Sequence, residues 1–288
     1  MTTIARREFI HSAVGLACAA LAGPSLLAEV ETGSQTIPLP DAPAALPKRD
    51  YRSKPFRMAV ALGDSITVGW TATSRELCWV NRLADSVNES LLVPMNMVNS
   101  GSGGDVVSPR SAGYGQFGKP SAMERYQKHV VEHRPDLVTI AYGVNDARAG
   151  TPVGQFAEDL RKIVLDIKSK TGALIVLVST SYMTDFERYP PFNRGSVAAF
   201  EAYNAAIRRL SEECDVLYAD VFSVLGSARW TVDPEDGVHP NNLGHKLIAD
   251  CVFGVLARNC SGLAEKALEL RKNFKPWQDE SALQTISK

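Results

Sequence analysis

Apolar runs alternate along this chain with segments of helical periodicity. Continuous apolar runs of about 4–8 residues, bounded by polar or turn residues, are typical of strands buried on both faces. Five segments of this kind predict strands, over residues 56–62, 93–98, 136–142, 173–178 and 215–221.

Between the strands, apolar residues recur at spacings of three and four, the period of an amphipathic helix. Phe156, Leu160 and Ile163 mark one such face, in a segment that begins at Thr151-Pro152, where proline suits the first turn. Helices are predicted over residues 75–89, 123–132, 151–170, 196–213 and 241–256. Strands interleaved with helices predict an α/β fold of three layers, with a five-stranded parallel sheet covered on both faces.

The two ends of the chain differ in composition from the middle. Arg6-Arg7-Glu8-Phe9-Ile10 resembles the twin-arginine export pattern, and an apolar segment with a small-x-small site at Ala20-Leu21-Ala22 follows it. Ala28 offers a second cleavage site, and a plain N-terminal helix with a chance arginine pair is the alternative. The predicted organisation is a twin-arginine-type signal peptide over 1–28, a Pro/Ala-rich linker over 29–52, a folded domain over 53–263 and a polar tail over 264–288. We therefore expect a periplasmic or secreted protein with no stable membrane span after cleavage.

Composition narrows the classes of partner. The 288 residues, 45% of them hydrophobic, suffice for one core, and the net charge of −1 provides no field that would attract nucleic acid. No nucleic-acid partner is expected, and the composition does not indicate an oligomeric state.

The cysteines and histidines do not form a metal-binding pattern. No Cys-x-x-Cys pair occurs, and His129 and His133, four residues apart, lack a third ligand, so they are predicted to be solvated. His245 is predicted to be structural. Cys251 and Cys260 are near enough in sequence for a disulfide in an exported protein, and buried free thiols are the equal alternative. Neither a metal nor a cofactor is expected.

Candidate catalytic residues follow the predicted strands. Gly63-Asp64-Ser65-Ile66-Thr67 follows the first strand, so Ser65 would present its hydroxyl at the sheet edge where α/β folds bind ligands. A serine nucleophile needs a base, and Asp236-Gly237-Val238-His239-Pro240 supplies an imidazole three residues from a carboxylate. Alone, that pair would more often be a capping aspartate beside an exposed histidine. Together with the serine motif it favours catalysis.

Two further loops supply hydrogen-bond donors. Asn99-Ser100-Gly101-Ser102-Gly103-Gly104-Asp105 exposes backbone N–H groups but lacks the spacing of a dinucleotide-binding loop or a P-loop. Asn145, in Gly143-Val144-Asn145-Asp146, offers a side-chain amide. Both loops suit an oxyanion. A flexible turn and a left-handed turn residue are the respective alternatives.

These four blocks, in this order, resemble those of the SGNH/GDSL hydrolase superfamily over about residues 57–256. The resemblance implies the SGNH hydrolase fold, which is flavodoxin-like, for the domain over 53–263. It also implies a triad of Ser65, Asp236 and His239. By the same analogy, the backbone N–H groups of Ser65 and Gly104 and the side chain of Asn145 would form the oxyanion hole.

The implied function is that of an exported serine esterase, which hydrolyses carboxylic esters through an acyl-enzyme. Acetyl groups on carbohydrates and acyl esters of lipids or small alcohols are both candidate substrates, and the lack of a long lid insertion favours a small acyl group. A catalytically silent carbohydrate-binding module is the alternative from another class. Aromatic residues after the fourth strand would either wall the substrate pocket or pack within their own loop: Tyr182, Phe186, Tyr189 and Phe192.

Overall fold

Five short parallel strands form the centre of the molecule. They are Met58–Gly63 (β1), Asn96–Gly101 (β2), Leu137–Ala141 (β3), Leu174–Val178 (β4) and Leu217–Ala219 (β5). The computed structural model describes residues 49–273, and in it the strands pair in the order β2-β1-β3-β4-β5. This is the flavodoxin-like order of a doubly wound sheet. The predicted α/β fold with a five-stranded parallel sheet is thereby confirmed.

Two strands, β2 and β5, differ from their predicted bounds by two or more residues at both ends. The apolar pattern predicts β2 over 93–98, but the strand begins at Asn96, because its register with β1 runs from Met58 opposite Asn96 to Gly63 opposite Gly101. Backbone pairing therefore carries β2 through polar residues that resemble a loop. β5 is shorter than predicted, since Asp215 has a φ of 52° and the residues after Ala219 turn into a helix.

Helices cover both faces of the sheet. They are Ser65–Val68 (α1), Trp79–Glu89 (α2), Ala122–His129 (α3), Val144–Ala149 (α4), Val153–Thr171 (α5), Val197–Glu213 (α6), Val221–Leu225 (α7), Asn242–Asn259 (α8) and Glu265–Arg271 (α9). α2 packs against α8, whereas α5 packs against α3 and α6. Right-handed crossovers on the two sides of β1 explain this division, because they place helices on opposite faces of the sheet.

The helix predicted over 75–89 begins four residues late. Arg75–Leu77 forms a 3₁₀ turn, and Cys78 follows with an extended ψ of 143°, so α2 starts at Trp79. Downstream, α3 ends at His129 because the backbone of Val130, with φ −131° and ψ −63°, leaves the helical region.

Buried apolar side chains of the strands and of the inward helix faces form one core around the sheet. Cys251 and Cys260 belong to it or pack against it, and both are free thiols. Burial raises the pKa of Cys251 to about 11 and that of Cys260 to about 12, so both thiols stay protonated at neutral pH.

The ends of the chain fall partly outside the description. The predicted signal peptide over 1–28, the linker as far as residue 48 and the tail from residue 274 lie outside the described residues. Within residues 49–273, no single helix is both long and apolar enough to cross a membrane. By length and composition alone, α8 and the helical stretch Ser261–Arg271 meet that test only as a pair bent by 95°.

Candidate active site

Ser65 lies where β1 ends and α1 begins. Asp64 caps this helix, since its Oδ1 accepts the N–H of Ile66 at 2.9 Å. Gly63 leaves no room for a side chain, because a Cβ there would lie 2.1 Å from Oγ1 of Thr67. The tight exit from the strand therefore requires glycine, and it directs Ser65 toward the carboxyl edge of the sheet.

The structure brings Ser65, His239 and Asp236 into one hydrogen-bonded chain. Oγ of Ser65 is 2.7 Å from Nε2 of His239, and Nδ1 of His239 is 2.5 Å from Oδ2 of Asp236. All three residues are at least nine-tenths buried. The three residues that the sequence singles out therefore share one site, although 174 positions separate Ser65 from His239.

Asp236 accepts hydrogen bonds from three donors. They are the backbone N–H of His239 at 2.7 Å, Nδ1 of the same residue and the hydroxyl of Tyr189 at 2.6 Å. Burial opposes ionisation of Asp236, but the bonds from His239 and Tyr189 outweigh it and hold the pKa of the carboxyl well below its usual range. An ionised carboxylate only accepts hydrogen bonds, so the ring nitrogen of His239 that faces Asp236, Nδ1, carries a proton. In the neutral tautomer Nε2 is therefore free to accept the hydroxyl proton of Ser65.

The loop that carries Asp236 and His239 is fixed from two sides. Within the loop, Oδ1 of Asp233 accepts the N–H of Asp236 at 2.9 Å. From outside, Thr184 donates its N–H to the carbonyl of Gly237 at 2.8 Å. The segment that follows β4 thus supports the loop before α8.

Gly104 and Asn145 line the same cleft as Ser65 and His239. Gly104 has a φ of 73°, in the left-handed region that favours glycine. The side-chain Nδ2 of Asn145 donates one hydrogen to the carbonyl of Asp105 at 2.9 Å, which fixes the amide and leaves its second hydrogen. The loops after β2 and β3 therefore both reach the cleft at Ser65, as the sequence analysis predicts for loops that carry oxyanion donors.

A buried ion pair joins the ends of β1 and β2. Arg125 donates from Nε to Asp105 at 2.7 Å, from Nη1 to the carbonyl of Ser100 at 2.8 Å and from Nη2 to the carbonyl of Gly63 at 2.8 Å. Tyr142 adds its hydroxyl to the same Asp105 oxygen at 2.6 Å. These bonds hold the loop that contains Gly104 against the strand that presents the nucleophile.

Sequence reasoning did not single out Arg125. The one available signal is its spacing, because Ala122 and Arg125 share the buried face of α3 at i and i+3. A charged residue at an inward position points to a buried partner.

Asp146 ties the loop after β2 to α4. Its carboxyl accepts the hydroxyl of Ser111 at 2.5 Å and the N–H of Val107 at 3.2 Å. Burial raises the pKa of Asp146 to about 7, and it raises the pKa of Asp64 to about 6. Both carboxyl groups accept hydrogen bonds from backbone N–H groups around the site, and neither lines the cleft.

The cleft above Ser65 has a volume of about 300 Å³. Phe117 and Phe192 stack on its wall with ring centroids 5.8 Å apart, and Trp70 lies 5.2 Å from the ring of His239. Of the loop aromatics left open by the sequence, Tyr189 and Phe192 line the cleft, whereas Tyr182 and Phe186 pack against other rings.

The other histidines lie outside the cleft. His129 and His133 are exposed, and within residues 49–273 no cluster of three or more His, Cys, Asp or Glu could hold a metal ion. His245 is fully buried, and its Nε2 is 3.0 Å from the carbonyl of Trp70. Burial lowers the pKa of His245 to about 4, so the imidazole is neutral at neutral pH while it holds the backbone of Trp70 beside the cleft.

Known proteins resemble this chain in sequence and in fold. The arylesterase of Vibrio mimicus is 27% identical over 202 residues, which cover 69% of this chain and 88% of that protein. The acetylxylan esterase of Geobacillus stearothermophilus is 23% identical over 139 residues, 43% of this chain and 61% of that protein. The lipase/acylhydrolase structure from Enterococcus faecalis superposes with a TM-score of 0.55 at 20% identity, over 77% of this chain and 99% of that one.

A family model also matches the sequence. The model of the GDSL-like lipase/acylhydrolase family matches residues 61–247, a range that begins inside β1 and ends inside α8. It therefore includes Ser65, Gly104, Asn145, Asp236 and His239. The match extends over more than half of the chain, and the chain belongs to the GDSL-like lipase/acylhydrolase family of ester-hydrolysing enzymes.

Proposed function

We propose that this enzyme is an exported serine esterase that hydrolyses carboxylic esters with small acyl groups. The hydrogen-bonded chain from Ser65 through His239 to Asp236, at the floor of an open cleft, carries the proposal. A serine hydroxyl becomes a nucleophile when an oriented base takes its proton, and this chain provides that base.

Acylation is the first half of the proposed reaction. Oγ of Ser65 attacks the ester carbonyl carbon while Nε2 of His239 takes the hydroxyl proton. The carbonyl oxygen becomes an oxyanion, stabilised by the N–H groups of Ser65 and Gly104 and by Nδ2 of Asn145. The bond to the alcohol oxygen then breaks, and His239 returns its proton to the leaving alcohol.

Deacylation repeats these steps with water. His239 removes a proton from water as the water oxygen attacks the acyl carbon. The second oxyanion then collapses, the bond to Oγ of Ser65 breaks, and His239 returns its proton to Oγ, which releases the carboxylic acid and regenerates Ser65. Asp236 stays ionised throughout and stabilises the imidazolium. Because protonated His239 cannot act as the base, turnover is expected to fall in acid.

The volume of the cleft supports a small acyl group. About 300 Å³ is at the lower end of the range for ligand sites, and the cleft is open toward solvent beside Trp70, a residue that is 51% exposed. The exposed indole next to His239 also favours a second candidate function, carbohydrate O-deacetylation, since it offers a flat apolar surface to a sugar ring. The similarity to an acetylxylan esterase supports the same candidate.

A panel of p-nitrophenyl esters tests the proposal. We expect kcat/KM to be highest for the acetate and to fall for the butyrate and octanoate. Release of acetate from acetylated xylan would favour the carbohydrate candidate. No turnover of any ester by folded protein would instead indicate a silent binding module, and a requirement for added divalent metal would overturn the serine mechanism.

Export through the twin-arginine route is a separate part of the proposal. It rests on Arg6-Arg7 ahead of an apolar segment and a small-x-small site. Replacing both arginines by lysine should block periplasmic accumulation, because this route reads the guanidinium pair and not charge alone. Normal export of the double variant would indicate the general secretory route, and N-terminal sequencing would separate cleavage after Ala22 from cleavage after Ala28.

A further inference from the structure

The charges along the cleft are all of one sign. Lys119 and Arg148 line it together with polar and aromatic residues, and none of the lining residues in the described part of the chain is an acid. Clefts lined by charge of one sign concentrate ligands of the opposite sign. The substrate side of the site therefore favours an anion.

Arg148 is the more unusual of the two cations. It lies on α4 three residues after Asn145, so the two side chains leave the same face of the helix. Arg148 is only 2% exposed, its Nη2 donates to the carbonyl of Arg188, and its buried Nε has no hydrogen-bond partner. Among residues 49–273, no carboxylate oxygen lies within the 4.0 Å of an ion pair with it, and the attraction of Asp185, Asp236 and Asp64 from farther away does not offset the burial that lowers its pKa.

A buried guanidinium without a carboxylate partner costs free energy, which an anion bound in the cleft would offset. Its planar group suits a carboxylate, which it binds through two parallel hydrogen bonds. Lys119 is exposed, and its Nζ donates to the carbonyl of Gly103 at 3.2 Å, which holds a second cation at the rim.

We propose that the cleft selects esters that carry a carboxylate, which Arg148 binds and Lys119 attracts. This inference rests on the proposed esterase function of Ser65. A purely structural role for the Arg148 side chain is the competing explanation, because its Nη2 donates to the carbonyl of Arg188 and so helps to hold the segment between β4 and α6. A structural role would affect all esters alike, whereas an anion site would affect charged esters selectively.

A matched pair of acetate esters tests the proposal. 4-Acetoxybenzoate and methyl 4-acetoxybenzoate have the same scissile bond, but only the first carries a charge. We would measure kcat/KM for each, normalised to its rate of hydrolysis by hydroxide. We expect the native enzyme to prefer the carboxylate by about tenfold or more, and Arg148→Gln to lower this preference by about 10–100-fold, the usual effect of a charge-assisted hydrogen bond.

Three variants separate the explanations. Arg148→Lys keeps the charge and should retain part of the preference, and Lys119→Gln should reduce it by a smaller factor. Arg161→Gln is the matched control: it removes one exposed positive charge on α5, paired with Glu213, and should leave the preference unchanged. A native preference at or below one, or an equal preference in Arg148→Gln, would overturn the proposal.

Binding of benzoate keeps the test independent of turnover and of the fold of any variant. Calorimetry on the native enzyme should show benzoate binding at least tenfold more tightly than benzamide. Equal binding would overturn the anion site even if both esters were hydrolysed. Selective benzoate binding without hydrolysis of either ester would support the anion site while the proposed esterase function failed.

Discussion

A methyl group at Gly104 has no space in the structure. An ideal Cβ there would lie 2.2 Å from Cδ2 and Cε2 of Phe117, and the φ of 73° is one that alanine rarely adopts. The left-handed backbone costs alanine about 1–2 kcal/mol. Moving the Phe117 ring would sacrifice its stacking on Phe192, about 0.5–1.5 kcal/mol.

A strain of about 1.5–3.5 kcal/mol, the sum of these two effects, is enough to shift the half-buried loop around Gly104. A shift would carry the N–H of Gly104 away from the oxyanion, and the loss of one preorganised donor typically costs about 10²–10³-fold in kcat. We therefore expect Gly104→Ala to lower kcat for p-nitrophenyl acetate by about 10²-fold, with a smaller change in KM.

Gly115→Ala is the matched control for this variant. Gly115 lies in the same loop with a φ of 81°, but a Cβ there would meet no atom within 4 Å. Gly115→Ala should lower the free energy of unfolding by about 1 kcal/mol and leave kcat within about threefold of the native value. Adding Phe117→Ala to Gly104→Ala removes the clash and should restore most of the kcat of Phe117→Ala. The reasoning is refuted if Gly104→Ala keeps native kcat, or if the double variant is as slow as Gly104→Ala.

Three further outcomes are expected. Asn145→Ala should lower kcat by about 10²–10³-fold with little change in KM in steady-state assays, and an unchanged kcat would mean that the amide only holds the carbonyl of Asp105. Tyr189→Phe removes one of the three hydrogen-bond donors to Asp236. Because Tyr189 is 44% exposed, water can partly replace its hydroxyl, and kcat should fall by about 3–10-fold; a native kcat would mean that Tyr189 only lines the cleft. Burial lowers the pKa of His245 to about 4, so as pH falls below about 6.5 the imidazole takes up a proton in the unfolded chain before it does so in the folded protein. The contribution of His245 to the free energy of unfolding, measured with urea, should therefore decline as pH falls from about 6.5 to about 4. An NMR titration of His245 near its ordinary pKa would contradict this.

The position of the candidate site could be predicted because its residues follow strands. Ser65, Gly104 and Asn145 lie in loops at the carboxyl ends of β1, β2 and β3, and these ends meet at one edge of a parallel sheet. Local pattern placed the strands well where both faces are buried, as in β3 and β4. It misplaced β2, because an edge strand with polar residues takes its bounds from pairing with β1.

The residues that tune the site could not be predicted in the same way. Arg125 and Arg148 are buried charges, which local periodicity treats as surface positions, and their partners come from other loops. The bond from Tyr189 to Asp236 spans 47 positions and depends on how the segment between β4 and α6 crosses the cleft. Such contacts follow from tertiary packing, which the spacing of residues along a single chain does not encode.

Labelling of Ser65 tests the central claim most directly. The native enzyme should react with a fluorophosphonate and gain the mass of one adduct, on the peptide that contains Ser65. Ser65→Ala should fold with a native melting temperature, remain unlabelled and lose at least about 10⁴-fold in turnover. An adduct on folded Ser65→Ala, or on another residue of the native enzyme, would contradict the assignment of Ser65 as the nucleophile.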